Sequence, residues 1–167
     1  AHIVGNTVID AVHLVLPRSH VPASLPAHPG RRLFVTVHRR ENHARLPTEL
    51  LPAIRRVVAA HPDTDAVVSV HPNPAVRRAM TRALVGADRV HLLAPLDYAA
   101  TIGLVRQATL VITDSGGLQE EATAIGTPLV VLRDITERNE AVDSGNAVLS
   151  AGGATAIAKA IGDLLDN

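Results

Sequence analysis

The sequence predicts an α/β protein with a doubly wound parallel sheet, a Rossmann-like domain, on three observations. From Leu33 onward, short apolar runs alternate in strict succession with amphipathic stretches, the order that builds a parallel sheet with helices on both faces. The apolar runs are continuous, without interleaved polar residues, which marks strands buried on both sides. Nearly all the polar residues able to do chemistry follow directly after those runs. In a doubly wound sheet that places them on one rim, outside the carboxyl ends of the strands, where ligands bind.

The bulk composition fits this and excludes much else. A chain of 167 residues with 47% hydrophobic content suits one domain with a proper core. Lys plus Arg and Asp plus Glu are 16 each, so net charge offers no attraction to nucleic acid or an anionic membrane. Cysteine is absent, which removes thiol chemistry, disulfides and Cys-ligated zinc. No apolar run has transmembrane length and the N-terminus is no signal peptide, so a cytoplasmic setting is expected. Phe34 and Tyr98 are the whole aromatic content. The core must therefore be aliphatic, and base stacking on an aromatic platform is excluded.

Taken in order, residues 5–16 carry Val8, Ile9, Val12 and Val15/Leu16 at helical spacing, with Asn6 or Thr7 as N-cap and Pro17 as terminator. Pro22, Pro26 and Pro29 mark the following stretch as an extended linker. Strands are expected at 33–37, 66–70, 90–93, 109–113, 128–132 and 146–149, and helices between and after them at 48–60, 74–85, 97–107, 117–125 and 153–165. Thr48 is the expected N-cap of the first of these helices, which buries Leu50, Leu51, Ile54, Val57 and Val58; the last buries Ile157, Ile161, Leu164 and Leu165. The chain is thus one domain over 1–167, with a leading helix and linker in 1–30 and an α/β core in 31–167.

The stretch Leu110–Gly126 is where the chemistry concentrates. A buried strand runs into Thr113-Asp114-Ser115-Gly116-Gly117, and a helix bearing Glu120 and Glu121 follows. Unpaired N–H groups and the positive end of the helix dipole suit a phosphate there. Ser115 can add a hydroxyl, Gly116 and Gly117 admit close backbone approach, and Glu121 is placed for the hydroxyls of an attached ribose. The plain alternative is a strand-to-helix turn capped by Asp114 or Ser115. His38-Arg39-Arg40-Glu41-Asn42 follows the first strand; two arginines beside an acid suit a diphosphate, and His38 can donate to a phosphate oxygen or act as an acid. A solvated loop is the alternative. His71-Pro72-Asn73-Pro74 reads equally as a rigid turn with Asn73 capping a helix from Pro74. Thr136–Glu140 reads first as a surface loop, with Arg138 able to reach a phosphate. The other histidines, His43 among them, look scattered, with no paired spacing typical of zinc ligands. No metal site is expected.

In sequence order, GNTVIDA (5–11), VTVHRREN (35–42), VHPNP (70–74), LLAPLDY (92–98), TDSGGLQEEA (113–122) and RDITER (133–138) resemble the C-terminal domain of the non-hydrolysing UDP-N-acetylglucosamine 2-epimerases. The resemblance implies one half of a glycosyltransferase B-type two-domain fold, with the nucleotide sugar in the cleft between the halves. It implies that Ser115, Gly116 and Gly117 bind the diphosphate, Glu121 the uridine ribose, and Arg138 the phosphates, with His38 as a catalytic residue stabilising UDP as it leaves and returns. Arg39, Glu41 and His71 match positions of a second, regulatory UDP-N-acetylglucosamine. The family reaction interconverts UDP-N-acetylglucosamine and UDP-N-acetylmannosamine through 2-acetamidoglucal, without cofactor or metal. Ala44 and Asn139 replace the usual glycine and proline of their motifs, and Thr123 stands where proline is frequent. The implied partners are UDP, UDP-N-acetylglucosamine, and the N-terminal domain with the acid/base carboxylates, which this chain lacks. The intact enzyme is expected to be a homodimer. A donor domain of a UDP-sugar glycosyltransferase and a non-catalytic nucleotide-sugar-binding module are the competing readings.

Overall fold

The computed structural model describes His2 and residues 5–166. Six strands, β1 (Arg31–Thr36), β2 (Thr64–Ser69), β3 (Val90–Leu93), β4 (Leu110–Thr113), β5 (Leu129–Val131) and β6 (Ala147–Leu149), form one sheet in the order β3-β2-β1-β4-β5-β6. Every pairing is parallel. The doubly wound sheet is therefore as expected. The strands β1 and β2 begin two residues earlier than their apolar runs, because Arg31 and Arg32 find carboxylates one strand away. Arg31 pairs with Asp63 at 2.8 Å and Arg32 with Asp65 at 2.6 Å.

The helices are α1 (Thr7–Val15), α2 (Arg40–His43), α3 (Leu51–Ala60), α4 (Pro74–Ala83), α5 (Tyr98–Gln107), α6 (Gly116–Ile125), α7 (Asn139–Asp143) and α8 (Ala154–Leu165). Successive strand residues point to opposite faces, so the sheet divides the core in two. Leu33, Val35, Val68 and Ile112 pack with Ile54, Met80 and Ile161 on one face; Phe34, Val67, Val111 and Leu129 pack with Leu104, Leu118 and Ala122 on the other. Each such side chain contributes about 1.5–3 kcal/mol of transfer free energy, which suffices for a core almost without aromatics.

Asn6 caps α1 through Val8 N–H at 3.0 Å and Asn73 caps α4 through Ala75 N–H at 2.9 Å, both as expected. The helix α1 lies against α5 and α6 but buries only Val12; Ile9 stays exposed. Thr48 caps nothing. Residues Leu46–Leu50 form a wide π-type turn that runs directly into α3, and the Thr48 hydroxyl points back to the Ala44 carbonyl. Pro52 stands in the first turn of α3, where its missing N–H costs no helical bond. Among the described residues no helix is long and apolar enough to cross a membrane.

Candidate functional site

The strand order reverses direction between β1 and β4, and at such a switch point the two following loops part to leave a crevice. The carboxyl ends are tied by a hydrogen bond of 2.9 Å between the Thr36 and Thr113 hydroxyls. Just beyond it, the fully buried Asp114 carboxylate accepts the backbone N–H groups of His38 and Arg39, each at 3.0 Å, and the Asn42 amide at 2.9 Å. Arg39 Nε in turn donates to the Asp114 carbonyl at 3.1 Å. These bonds clamp the segment after β1 onto the start of α6.

Sequence reasoning missed this clamp. The HRREN segment is not a solvated loop: Arg40–His43 make the single turn α2, and Asn42 is buried. Ser115 is the cap of α6, its hydroxyl accepting from Leu118 N–H at 3.4 Å. Asp114 is left free to reach across the sheet. An acid at the end of a continuously apolar strand, with no basic residue beside it in sequence, was the available signal.

The first turn of α6 presents the N–H groups of Gly116 and Gly117 without helical acceptors. Neither glycine is among those with positive φ. A Cβ on Gly117 would meet nothing within 4 Å, and one on Gly116 would stand 3.6 Å from the Arg138 guanidinium carbon. Packing within the chain therefore does not demand two glycines here. Arg138 lies over this turn, its Nε donating to Glu120 at 2.8 Å. The segment that carries it is bolted to α6 by a bond of 2.6 Å from the Thr136 hydroxyl to Gln119. It continues as α7, with Arg138 at its N-cap position, and is more than a surface loop.

Glu121 and Ser115 line a cleft of about 200 Å³, walled by His38, Leu118, Pro95 and Leu96. Burial raises the Glu121 pKa and neighbouring Glu120 adds to this, while a hydrogen bond from Tyr98 opposes it. The Tyr98 hydroxyl is itself pushed up to about 12, by burial and then by the Glu121 charge. Tyr98 opens α5 and is a site residue that its motif contained without singling it out. A larger cavity of about 560 Å³ lies on the other side of this turn, between α1, α6 and α7, and Arg138 and Glu120 line it.

Arg39 pairs with Glu41 at 3.4 Å on the exposed side of α2. His71 belongs to a different group: its ring centroid lies 6.0 Å from that of His38 and 4.5 Å from that of His43. His43, counted above as scattered, is thus part of the rim. Burial lowers the His71 pKa, His43 and His38 lower it further, and Asp114 opposes them. Among the described residues no group of three or more His, Cys, Asp or Glu is arranged to hold a metal ion.

The profile of the family described as UDP-N-acetylglucosamine 2-epimerase matches residues 1–167. A protein of Ralstonia nicotianae named as a probable member of that enzyme class is 42% identical over 157 residues, covering 88% of this chain and 42% of the relative. The chain thus spans less than half the length of that curated relative. A crystal structure from Listeria monocytogenes, described as a UDP-N-acetylglucosamine 2-epimerase, superposes with a TM-score of 0.84 at 39% identity, covering 98% of this chain and 44% of that one. A structure of the Neisseria meningitidis enzyme bound to UDP-N-acetylglucosamine gives a TM-score of 0.88 at 31% identity, with 98% and 47% covered. This chain, with its doubly wound sheet and its glycine turn at the switch point, belongs to the UDP-N-acetylglucosamine 2-epimerase family.

Proposed function

We propose that this chain is the UDP-binding half of an enzyme that interconverts UDP-N-acetylglucosamine and UDP-N-acetylmannosamine. One observation carries the reading. Two adjacent glycines open α6 at the switch point although the chain's own packing leaves room for a side chain at both. A ligand backbone pressed against the helix N-terminus supplies the reason for them, and a diphosphate is the ligand that such a terminus favours. Ser115, Gly116 and Gly117 bind its oxygens, with Arg138 adding charge from above. Glu121, one turn further along in the cleft, takes the ribose hydroxyls, and Tyr98 holds its carboxylate.

The chemistry follows from a well-held leaving group. Removal of the proton at C2 and departure of UDP from C1 give 2-acetamidoglucal; return of UDP with protonation at the other face of C2 gives the epimer. His38 and the α6 N-terminus stabilise the charge that gathers on UDP, and keep it from diffusing away before re-addition. The carboxylates that move the C2 proton belong to a second domain, and the cleft between the two makes a glycosyltransferase B-type fold. This half alone is inactive, and the intact enzyme is a homodimer. Arg39, Glu41 and His71 are offered as contacts to a second, regulatory nucleotide sugar.

The Glu121→Ala variant tests the core of this reading. Titration calorimetry should show UDP binding weakened by about 1–3 kcal/mol through lost hydrogen bonds to the ribose. Equal affinity for both proteins removes Glu121 from the site.

A further inference from the structure

We infer that His43 completes a cluster of three imidazoles, with His38 and His71, that couples capture of the diphosphate to uptake of a proton. This rests on the UDP site proposed above and adds to it a residue and a chemical event. The His43 ring meets that of His71 edge to face, at 4.5 Å between centroids and 63° between planes, while His38 lies 6.0 Å from His71 on the side of the cleft. His43 follows Asn42, whose amide is anchored on Asp114, so the ring is held on a fixed turn.

Two nitrogens define the state of the cluster. His71 Nδ1 accepts the Asn73 N–H at 3.0 Å, so the proton of neutral His71 sits on Nε2, and a proton taken up by this ring goes to Nδ1 and displaces the Asn73 N–H. His43 Nε2 is buried and has no hydrogen-bond partner among the described residues. An unpaired polar atom out of water is costly, and that cost is relieved when a partner reaches it. The titratable groups facing His71 are His43 and His38 from the segment after β1 and Asp114 from the end of β4. Burial and the two imidazoles hold His71 below the ordinary imidazole range, and the single carboxylate does not offset them. Asp114 already accepts three neutral donors, which spreads its charge away from the rings. A diphosphate beside His38 reverses the balance: its negative charge favours the protonated form of every imidazole nearby. Linkage then requires that protonation strengthen binding by the same factor.

The probe is UDP-N-acetylglucosamine, because the terminal phosphate of free UDP itself titrates near about pH 6 whereas the doubly esterified diphosphate does not. Calorimetry of the chain in two buffers of unlike ionisation heat should show net proton uptake on binding. Affinity should rise on the order of three- to tenfold as pH falls from about 8, and level off below the ordinary imidazole range, once His71 is protonated before binding. His43→Gln keeps a polar group of similar length but cannot carry charge. Without that neighbour His71 should titrate at a higher pH, read from its ring-proton NMR signal, and the levelling-off should begin at a correspondingly higher pH. Binding without proton exchange overturns the inference and leaves the UDP site standing, and this arm needs no variant. An unmoved His71 midpoint in His43→Gln likewise overturns it. Failure to bind at any pH overturns both the site and the inference.

Discussion

Two buried aspartates at opposite ends of the same sheet are solved in opposite ways. Asp65, at the amino ends, is 1% exposed and forms a bidentate ion pair with Arg32 at 2.6 and 2.9 Å. Arg32 also donates to Gln107 and the Pro26 carbonyl, each at 3.0 Å, and His91 closes on the same carboxylate at 3.4 Å. Asp114, at the carboxyl ends, is 0% exposed and its carboxylate is hydrogen-bonded, among the described residues, to neutral donors, two of them backbone N–H groups from the HRREN segment. The amino end matches charge with charge. The carboxyl end uses its buried acid as a clamp, with Ser115 and His38 facing the cleft and the Gly116 and Gly117 N–H groups at the open first turn of α6. Stability is concentrated at one end, and the other is the end proposed to take a ligand.

The widest separation of the two ends comes from breaking each aspartate's partnership. Arg32→Met strands the buried Asp65 charge and should cost about 3–5 kcal/mol of stability, most of it restored by adding Asp65→Leu. UDP affinity of the folded fraction should not change. Asp114→Asn turns an acceptor against N–H donors and should cost less, about 1–3 kcal/mol, yet weaken UDP binding because His38 and Arg39 lose their anchor. Urea unfolding paired with calorimetry reads both quantities. Arg32→Met that weakens UDP binding in the folded protein, or Asp114→Asn that leaves it intact, breaks the contrast.

A finer separation is available at Gly117. Its Cβ position is open and alanine is the better helix former, so Gly117→Ala should hold or raise stability, by up to about 1 kcal/mol. The added methyl occupies the space proposed for the diphosphate, and UDP affinity should fall about tenfold, near 1.4 kcal/mol. Unchanged affinity, measured by calorimetry, means the ligand does not approach this turn.

Much of this organisation was legible in the sequence, because the signals that carry it are local. Continuous apolar runs in alternation with amphipathic stretches disclosed all the strands, and Ser115, Gly116, Gly117, Glu121 and Arg138 do gather at one rim. What escaped were relations made across the sheet. The role of Asp114 depends on β4 lying beside β1, and the place of His43 depends on how α2 turns its ring toward the loop after β2. Thr48 failed as a cap for a similar reason, since the π-type turn at Leu46–Leu50 is set by how the chain enters α3 between Pro47 and Pro52. Periodicity sees neighbours along the chain; it does not see which strand ends become neighbours in space.

The smallest effect is the opposite pH dependence of two partly accessible acids. Arg31 holds the Asp63 carboxyl below its ordinary range through a hydrogen bond, with burial opposing. A depressed folded pKa contributes stability above the unfolded value, about 3.9 for Asp, and that contribution is lost as pH falls through the folded value. Glu121 is raised, chiefly by burial. Its ionised form therefore destabilises the unliganded fold, fully so above the folded pKa, and the penalty vanishes below the unfolded value, about 4.3 for Glu. Asp63→Asn should lower the melting temperature slightly at pH near 7 and leave it unchanged at strongly acid pH. Glu121→Gln, which still accepts from Tyr98, should raise the melting temperature near pH 7 and do nothing in acid. Thermal unfolding of both variants across pH decides the matter. Two shifts of the same sign would mean that Glu121 is as well compensated as Asp63, and that the carboxylate proposed to bind the ribose is not held ionised at the expense of stability.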